Sequence, residues 1–475
     1  MKIKFEALTA DQIARISDKV ETLLSERGVI VKDAGVRDFF AKRGAGVSGD
    51  AVRLPKEMLR SSIASVPAQY SLHARNPEKT VTIGIGHDAV INANSGMSFI
   101  QDMDGTRRPA SVEDQILMLK LNHTSEVAGV TNAGILYPTV GIDVKDAKYV
   151  QMINALTYSD KPFFCQGANE SFGRAAIALA RIATGYNDRP VCMSVVNSLS
   201  PLLWDTDMLG MIRLFAEENQ PINISSSAMA GVTAPLNLTS AIITSCAEGL
   251  FGVAYSQLVR PGAPVVFGCF PGVMDMRNMS MSYGAPEFSI MCAAASQMAS
   301  YYHLPFRGGG ALTSAKAIGA DSGAESALGM MTALCCDVHY MHQSIGTLDS
   351  ILACSAEKFV MDEDIVARVR RMQKGVGEID ENLLEEIDEG LEERCFLGLE
   401  STVSNFREII YQPVFANGRN YADWSKEKKS SEISAHEIVE ERINAYREPD
   451  IGTELKKQMR GYVAKLGVDP AKLGA

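Results

Sequence analysis

Little in this chain points outside the cell or towards a metal. Its 9 cysteines are odd in number, form no Cys-x-x-Cys pair and adjoin only at Cys335-Cys336. That argues against a disulfide framework and a zinc ribbon, and for a reducing compartment. Positive charge is in deficit, with 46 Lys and Arg against 57 Asp and Glu. The net charge of −11 speaks against nucleic acid or an anionic membrane as partner and mildly favours a cationic ligand. The N-terminus, MKIKFEALTADQ, lacks the apolar core of a secretion signal. The most apolar helical stretch, Ser240–Val259, carries Glu248 in its middle, which argues against a membrane span. The expected location is the cytoplasm.

What is present is periodicity. Thr9 and Gln12 form a capping box ahead of Ile13, Ile16, Val20 and Leu23, and Gly28 stops that helix. Helices over Asp33–Lys42 and Pro55–Ser65 and strands within Tyr70–Ile83 and Ala89–Asp102 complete an expected α+β extension, residues 1–110.

From 111 to 374 apolar strands alternate with helices. The strands are expected at Gly134–Tyr137, Phe163–Gln166, Val191–Val196, Ile222–Ser225, Val265–Phe270, Phe306–Gly308, Val338–His342 and Lys358–Met361. Pro162, Pro190, Pro221, Pro264 and Pro305 each open one of them, at a position where a missing N–H disrupts no ladder. Continuous apolar strands alternating with helices mean a parallel sheet covered by helices, and eight such pairs favour an α/β (β/α)8 TIM barrel over an open sheet. Charge-rich helices, Glu378–Glu393, Ser434–Arg447 and Glu454–Lys465, form an expected C-terminal helical region, 375–475.

In a barrel the chemistry collects on loops after the strands. The longest such loop follows Val265–Phe270 and holds Asp275, Arg277 and Tyr283 among methionines. Side chains alternate along a strand, so Tyr340 and His342 share one face, as do Phe164 and Gln166. Tyr137, Phe270 and Tyr283 belong to the same rim, and Trp204, in SLSPLLWD, is placed to reach over it. Rings with few acids suit a quaternary ammonium group, which cannot donate a conventional hydrogen bond. Each ring taken singly is better explained as core.

Other chemistries fit less well. His339 and His342 face opposite ways on their strand, so with Cys335 and Cys336 they make no metal cluster. Lys316, in GGGALTSAK, is a candidate Schiff-base lysine or substrate-carboxylate partner. The run Gly308-Gly309-Gly310 permits close approach of backbone or phosphate and is weak evidence by itself.

The strings Asp275-Met276-Arg277, Tyr283-Gly284-Ala285-Pro286-Glu287-Phe288, Tyr302 and Leu304-Pro305 resemble the trimethylamine methyltransferase family, as do Ser200-Pro201-Leu202, Phe396-Leu397-Gly398, Phe406-Arg407 and Trp424. The resemblance implies methyl transfer from a methylated amine to the Co(I) form of a corrinoid (cobalamin) carried by a separate small corrinoid-binding protein. No cofactor of the chain's own is expected. Archetypal members carry pyrrolysine; this chain has only standard residues, which resembles the branch associated with quaternary amines such as glycine betaine, proline betaine, carnitine and γ-butyrobetaine. Glu400-Ser401-Thr402 departs from the family's His-Thr pair.

A quaternary nitrogen leaves as a neutral amine, so no acid has to protonate it, and a positioning enzyme suffices. Positive charge fades in the transition state, so a strong cage would hold the substrate more than the transition state. The expectation is a few rings plus a firm grip on a carboxylate, with Arg277, Lys316, His342 and Gln166 as candidates for the grip. A homo-oligomer is also expected. The alternatives are a quaternary-amine binding protein without turnover and a barrel enzyme using Lys316 covalently.

Overall fold

The computed structural model describes residues 3–377, 381–415 and 418–468. Eight short parallel strands, each followed by a helix, position the rest of this α/β fold. They are β1 (Val90–Ile91), β2 (Thr131–Asn132), β3 (Phe163–Phe164), β4 (Cys192–Asn197), β5 (Ile222–Ser226), β6 (Val265–Cys269), β7 (Arg307–Gly308) and β8 (Tyr340–Met341). Strands β2 to β6 pair side by side in one sheet, and β7, β8 and β1 in another. Parallel bridges join the two sheets at both margins, Ile91 to Ala128 and Phe267 to Phe306, so the pairings run from β1 round to β8 and return to β1.

Helices Val112–Thr124, Val144–Tyr158, Glu170–Thr184, Thr206–Glu217, Leu238–Val259, Pro286–Tyr301, Ala320–Cys335 and Ala356–Gln373 follow the strands in turn. Compared with the sequence reading, the frame moves by one unit. The expected first strand, Gly134–Tyr137, is a turn, because the Asn132 side chain takes the Gly134 N–H at 2.8 Å and ends β2 there. The expected last strand, Lys358–Met361, is helix: Ser355 caps it through the Lys358 N–H at 3.3 Å. The strand that completes the count, Val90–Ile91, comes from the N-terminal extension and pairs with Tyr340 and Met341.

The ring has a dry base. A hairpin, Gln69–Leu72 with Val81–Gly84, sends Tyr70, Leu72 and Ile83 into an apolar cluster with Val90, Val130, Phe164, Met193 and Val266. Each such buried aliphatic or aromatic side chain stabilises the fold by roughly 1.5–3 kcal/mol. The hairpin therefore closes the end where the strands begin.

Trp204 does not reach the rim. Its segment, Leu203–Trp204, pairs with Val29–Val31 outside the ring, and the indole is buried with its Nε1–H donating to the Glu248 carbonyl at 3.2 Å. A Cβ on Gly252 would come within 3.0 Å of that indole, so the Leu238–Val259 helix uses glycine to seat it. Among the described residues this is the one helix long and apolar enough to cross a membrane, and 72% of its most apolar window is buried in the fold.

The Thr9 capping box is present, with Thr9 N–H to Gln12 Oε1 at 2.8 Å. The C-terminal helices include Leu383–Glu393, Ser431–Ala445 and Thr453–Lys465; Glu378 to Asp380, the expected start of the first, lie outside the described residues. Arg442 ties this region to the Val112–Thr124 helix by donating to the Leu121 carbonyl at 2.8 Å.

Candidate functional site

Above the base the inward side chains change from apolar to polar. Alternation carries β1 from Val90 to Asn92, the second strand segment from Val130 to Asn132, and the third from Phe164 to Gln166. Asn92 Nδ2 donates to the Tyr340 hydroxyl at 2.7 Å and lies 3.0 Å from His342 Nδ1, while Asn132 Nδ2 donates to Asn92 Oδ1 at 3.1 Å. An amide nitrogen only donates, so His342 accepts at Nδ1 and carries its hydrogen on Nε2. Burial, helped by the positive charge of Arg307, holds His342 well below the usual histidine range.

Arg307, on β7, is the residue that sequence reasoning missed. It is 3% exposed, and its guanidinium carbon lies 3.5 Å from the centroid of the Phe270 ring. Nη2 donates to Gln343 Oε1 at 3.3 Å, and Gln343 Nε2 in turn donates to the Ser95 carbonyl at 2.9 Å. Its Nε is buried without a hydrogen-bond partner. Among the described residues no carboxylate pairs with it; the titratable groups that act on it are Tyr283, Cys292 and Tyr340. Burial pushes its pKa down to about 10, so the cation persists at neutral pH. The signal lay in the string FRGGG, one residue before a strand ends, where attention went to the glycines.

Those glycines have a packing reason: a Cβ on Gly308 would meet Val338 at 2.8 Å, and one on Gly310 would meet Ser344 at 2.5 Å. Asn223, on β5, is fully buried with neither side-chain atom hydrogen-bonded. The Phe267–Phe306 bridge sets Gly268 beside Arg307, and a Cβ on Gly268 would lie 2.8 Å from Asn223 Oδ1. Glycine there leaves Asn223 the room that a Cβ would take.

Two ring groups flank Arg307. Phe270, Tyr283 and Phe288 pack with centroids 4.9 to 6.2 Å apart, joined by Leu312. Phe164 lies 4.9 Å from His342, which stacks on Tyr340 at 6.2 Å and 17°. Gln166 is half-buried at the same level, with Gly134 and Gly96 leaving room for its amide. Tyr137 is half-buried beside Met97, and burial pushes its hydroxyl up to about 12. It joins neither ring group.

Arg277 and Lys316 stand apart. The long loop folds into a hairpin, Gly272–Asp275 with Ser280–Met281, and Arg277 at its tip is 90% exposed and held by Asp275 at 2.8 Å. Lys316 is 69% exposed, 2.6 Å from Asp349, a carboxylate that also takes Arg107. An exposed, ion-paired ammonium such as that of Lys316 is a poor Schiff-base nucleophile, and both residues lie at the surface.

The turn after β8 closes over this end. Asp349, Ser350 and Ile351 all have positive φ, 51°, 51° and 73°. Ser350 Oγ donates to the Met281 carbonyl at 2.8 Å and its N–H to Thr313 at 3.0 Å, drawing the loops together. Two surface clefts, of about 590 Å³ beside Trp424 and about 530 Å³ beside Cys336, lie away from this end of the ring.

With that geometry in hand, the family model for trimethylamine methyltransferase matches residues 2–468. The chain belongs to this family. A glycine betaine methyltransferase of Desulfitobacterium hafniense (strain Y51) is 31% identical across 98% of both chains. An L-carnitine:corrinoid methyltransferase of Eubacterium limosum is 29% identical across 94% of both. A trimethylamine methyltransferase, MttB, of Methanosarcina barkeri (strain Fusaro / DSM 804) is 24% identical, covering 98% of this chain and 95% of its own. The crystal structure of a hydroxylamine complex of MtmB shares the fold at a TM-score of 0.51 and 13% identity, over 98% of this chain and 89% of that one.

Proposed function

We propose that this protein moves a methyl group from a betaine-type quaternary amine to the Co(I) corrinoid of a separate small corrinoid protein, at the C-terminal mouth of a (β/α)8 barrel. The closed run of parallel pairings supports the barrel, and the relatives named for glycine betaine and carnitine support the substrate class. The division into residues 1–110, 111–374 and 375–475 belongs to the same reading, with the first part lending β1 to the ring.

The observation that carries the reading is that, among the described residues, no free acid or base stands at the mouth. Asp349 is taken by Lys316 and Arg107, and Glu325 accepts from Thr313 and from the Ser314 N–H at 2.8 Å. His342 is held neutral by Asn92 and by burial. The methyl carbon breaks its bond to nitrogen and forms one to cobalt, and the amine departs neutral with the electron pair of the broken bond. No proton moves. The rings of Tyr283 and His342 orient the ammonium head, and the apolar base keeps water away from below. The corrinoid brings the nucleophile as a co-substrate.

Mixing the protein with a reduced corrinoid and glycine betaine, proline betaine, carnitine or γ-butyrobetaine tests this. Growth of the methyl-cobalt spectrum with at least one of them is expected. Binding of a betaine without that growth would leave a binding protein instead.

A further inference from the structure

We infer that Arg307, together with Asn223, is the anion subsite that receives the substrate's carboxylate and restricts this protein to zwitterionic quaternary amines. The inference rests on the proposed betaine reading and names the residue behind it.

A guanidinium 3% exposed with no carboxylate partner among the described residues is an expensive feature. The fold nevertheless holds it in one place: Phe270 supports its flat face at 3.5 Å, and Gln343 fixes one nitrogen while bridging to Ser95. Gln343 adopts a left-handed φ of 60° at this point, directly after His342. A preorganised cation with an orphaned Nε–H and, two strands along, an Asn223 amide with no partner present donors matched to a carboxylate.

The same charge sets the direction of binding. It repels an ammonium head, so the quaternary nitrogen lies at the end of the ligand farthest from the guanidinium, with a methyl facing the mouth. One face of Phe270 is already occupied by the guanidinium, which leaves fewer rings for the ammonium than the sequence suggested. A ligand that brings its own carboxylate neutralises Arg307. Choline, trimethylamine and tetramethylammonium bring none and meet an uncompensated cation.

The test is calorimetric binding to the full chain without any corrinoid. The probes are the four betaines named above, with tetramethylammonium and choline as carboxylate-free controls. For the wild type, the best betaine is expected to bind at least about a hundredfold more tightly than either control. Arg307→Met is expected to weaken that betaine about a hundredfold while leaving the controls unchanged or tighter, and to lose the betaine-induced rise in Tm. Arg307→Lys keeps the charge but not the fork and is expected to weaken betaine at least tenfold.

Unchanged betaine affinity in Arg307→Met, or equal wild-type affinity for betaine and tetramethylammonium, overturns the assignment. If Arg307→Met does not fold, Asn223→Leu decides by the same comparison: betaine weakened and controls unchanged supports the subsite, both unchanged overturns it. Because no methyl transfer is read, loss of the catalytic proposal alone leaves these outcomes intact.

Discussion

The side-chain nitrogen of Asn92 lies 3.0 Å from Nδ1 of His342. Since that nitrogen only donates, protonating His342 would set donor against donor, and burial and Arg307 oppose the proton as well. Unfolded, the same histidine titrates near about 6.5. As pH falls below that value the unfolded chain takes up a proton that the native state refuses. Stability is therefore complete above about pH 6.5 and declines beneath it, by up to about 1.4 kcal/mol per pH unit. Melting curves from pH 7 to 5.5 are expected to show a falling Tm, and His342→Gln to flatten the decline. Part of the slope persists in the variant, because His123, pushed down to about 4 by burial and by Lys79, acts with the same sign. An identical decline in both proteins would remove His342 from this role.

Tyr283 offers its ring where Phe288 meets it edge-on at 5.3 Å and 85°. A well-placed ring contributes roughly 0.5–2 kcal/mol to holding a cation. Tyr283→Ala is expected to lower kcat/KM at least about tenfold, and Tyr283→Phe, which keeps the ring, to stay within about threefold. Equal losses in the two would assign the effect to the hydroxyl instead.

The alternation of strands and helices and the inward face of β8 were legible because alternation and proline-led strands are local signals. Tyr340, His342, Phe164 and Gln166 follow from period two alone. Strand β1 falls within the expected Ala89–Asp102 strands, but it was assigned to the extension because its β8 partner lies far away in sequence. Arg307 was hidden for a different reason: a lone arginine in a strand reads as surface until the register puts it inside. Arg277 and Lys316 looked useful as free cations, and only the structure shows Asp275 and Asp349 holding them. Trp204 was assigned by proximity to a strand end, whereas pairing with Val29–Val31 draws it outside the ring.

Asp349 anchors a turn that L-residues adopt reluctantly. Positive φ at non-glycine positions costs on the order of 1–3 kcal/mol each, and Ile351 is β-branched. The carboxylate, taken by Arg107 and Lys316, and the Asp349 N–H to the Ala315 carbonyl at 2.8 Å hold the turn down. Asp349→Asn is expected to loosen it: the Ser350 amide exchanges hydrogen faster, and kcat/KM falls about tenfold because Met281 and Thr313 are no longer drawn in. Unchanged exchange at Ser350 would show that backbone contacts alone suffice.

Glu248 lies at the centre of the Leu238–Val259 helix, fully buried and, among the described residues, without an ion-paired cation. Its Oε2 accepts from the hydroxyls of Ser198 at 2.5 Å, Ser200 at 2.7 Å and Ser226 at 2.6 Å, and Oε1 from the Leu202 N–H at 2.7 Å. These bonds tie the loop after β4 and the end of β5 to the helix behind them. Hydroxyls rotate and can accept as well as donate, whereas the Leu202 N–H cannot. Glu248→Gln keeps an acceptor for Leu202 and offers the serines a donor, so it is expected to cost about 1–2 kcal/mol. Glu248→Leu matches the size but orphans the Leu202 N–H and removes the shared acceptor of three hydroxyls, and the expected loss is about 3–5 kcal/mol, read from denaturant midpoints with the slope checked for constancy. Equal losses would mean that the charge rather than the donor count sets the cost, since both variants remove the charge and only one removes the acceptors.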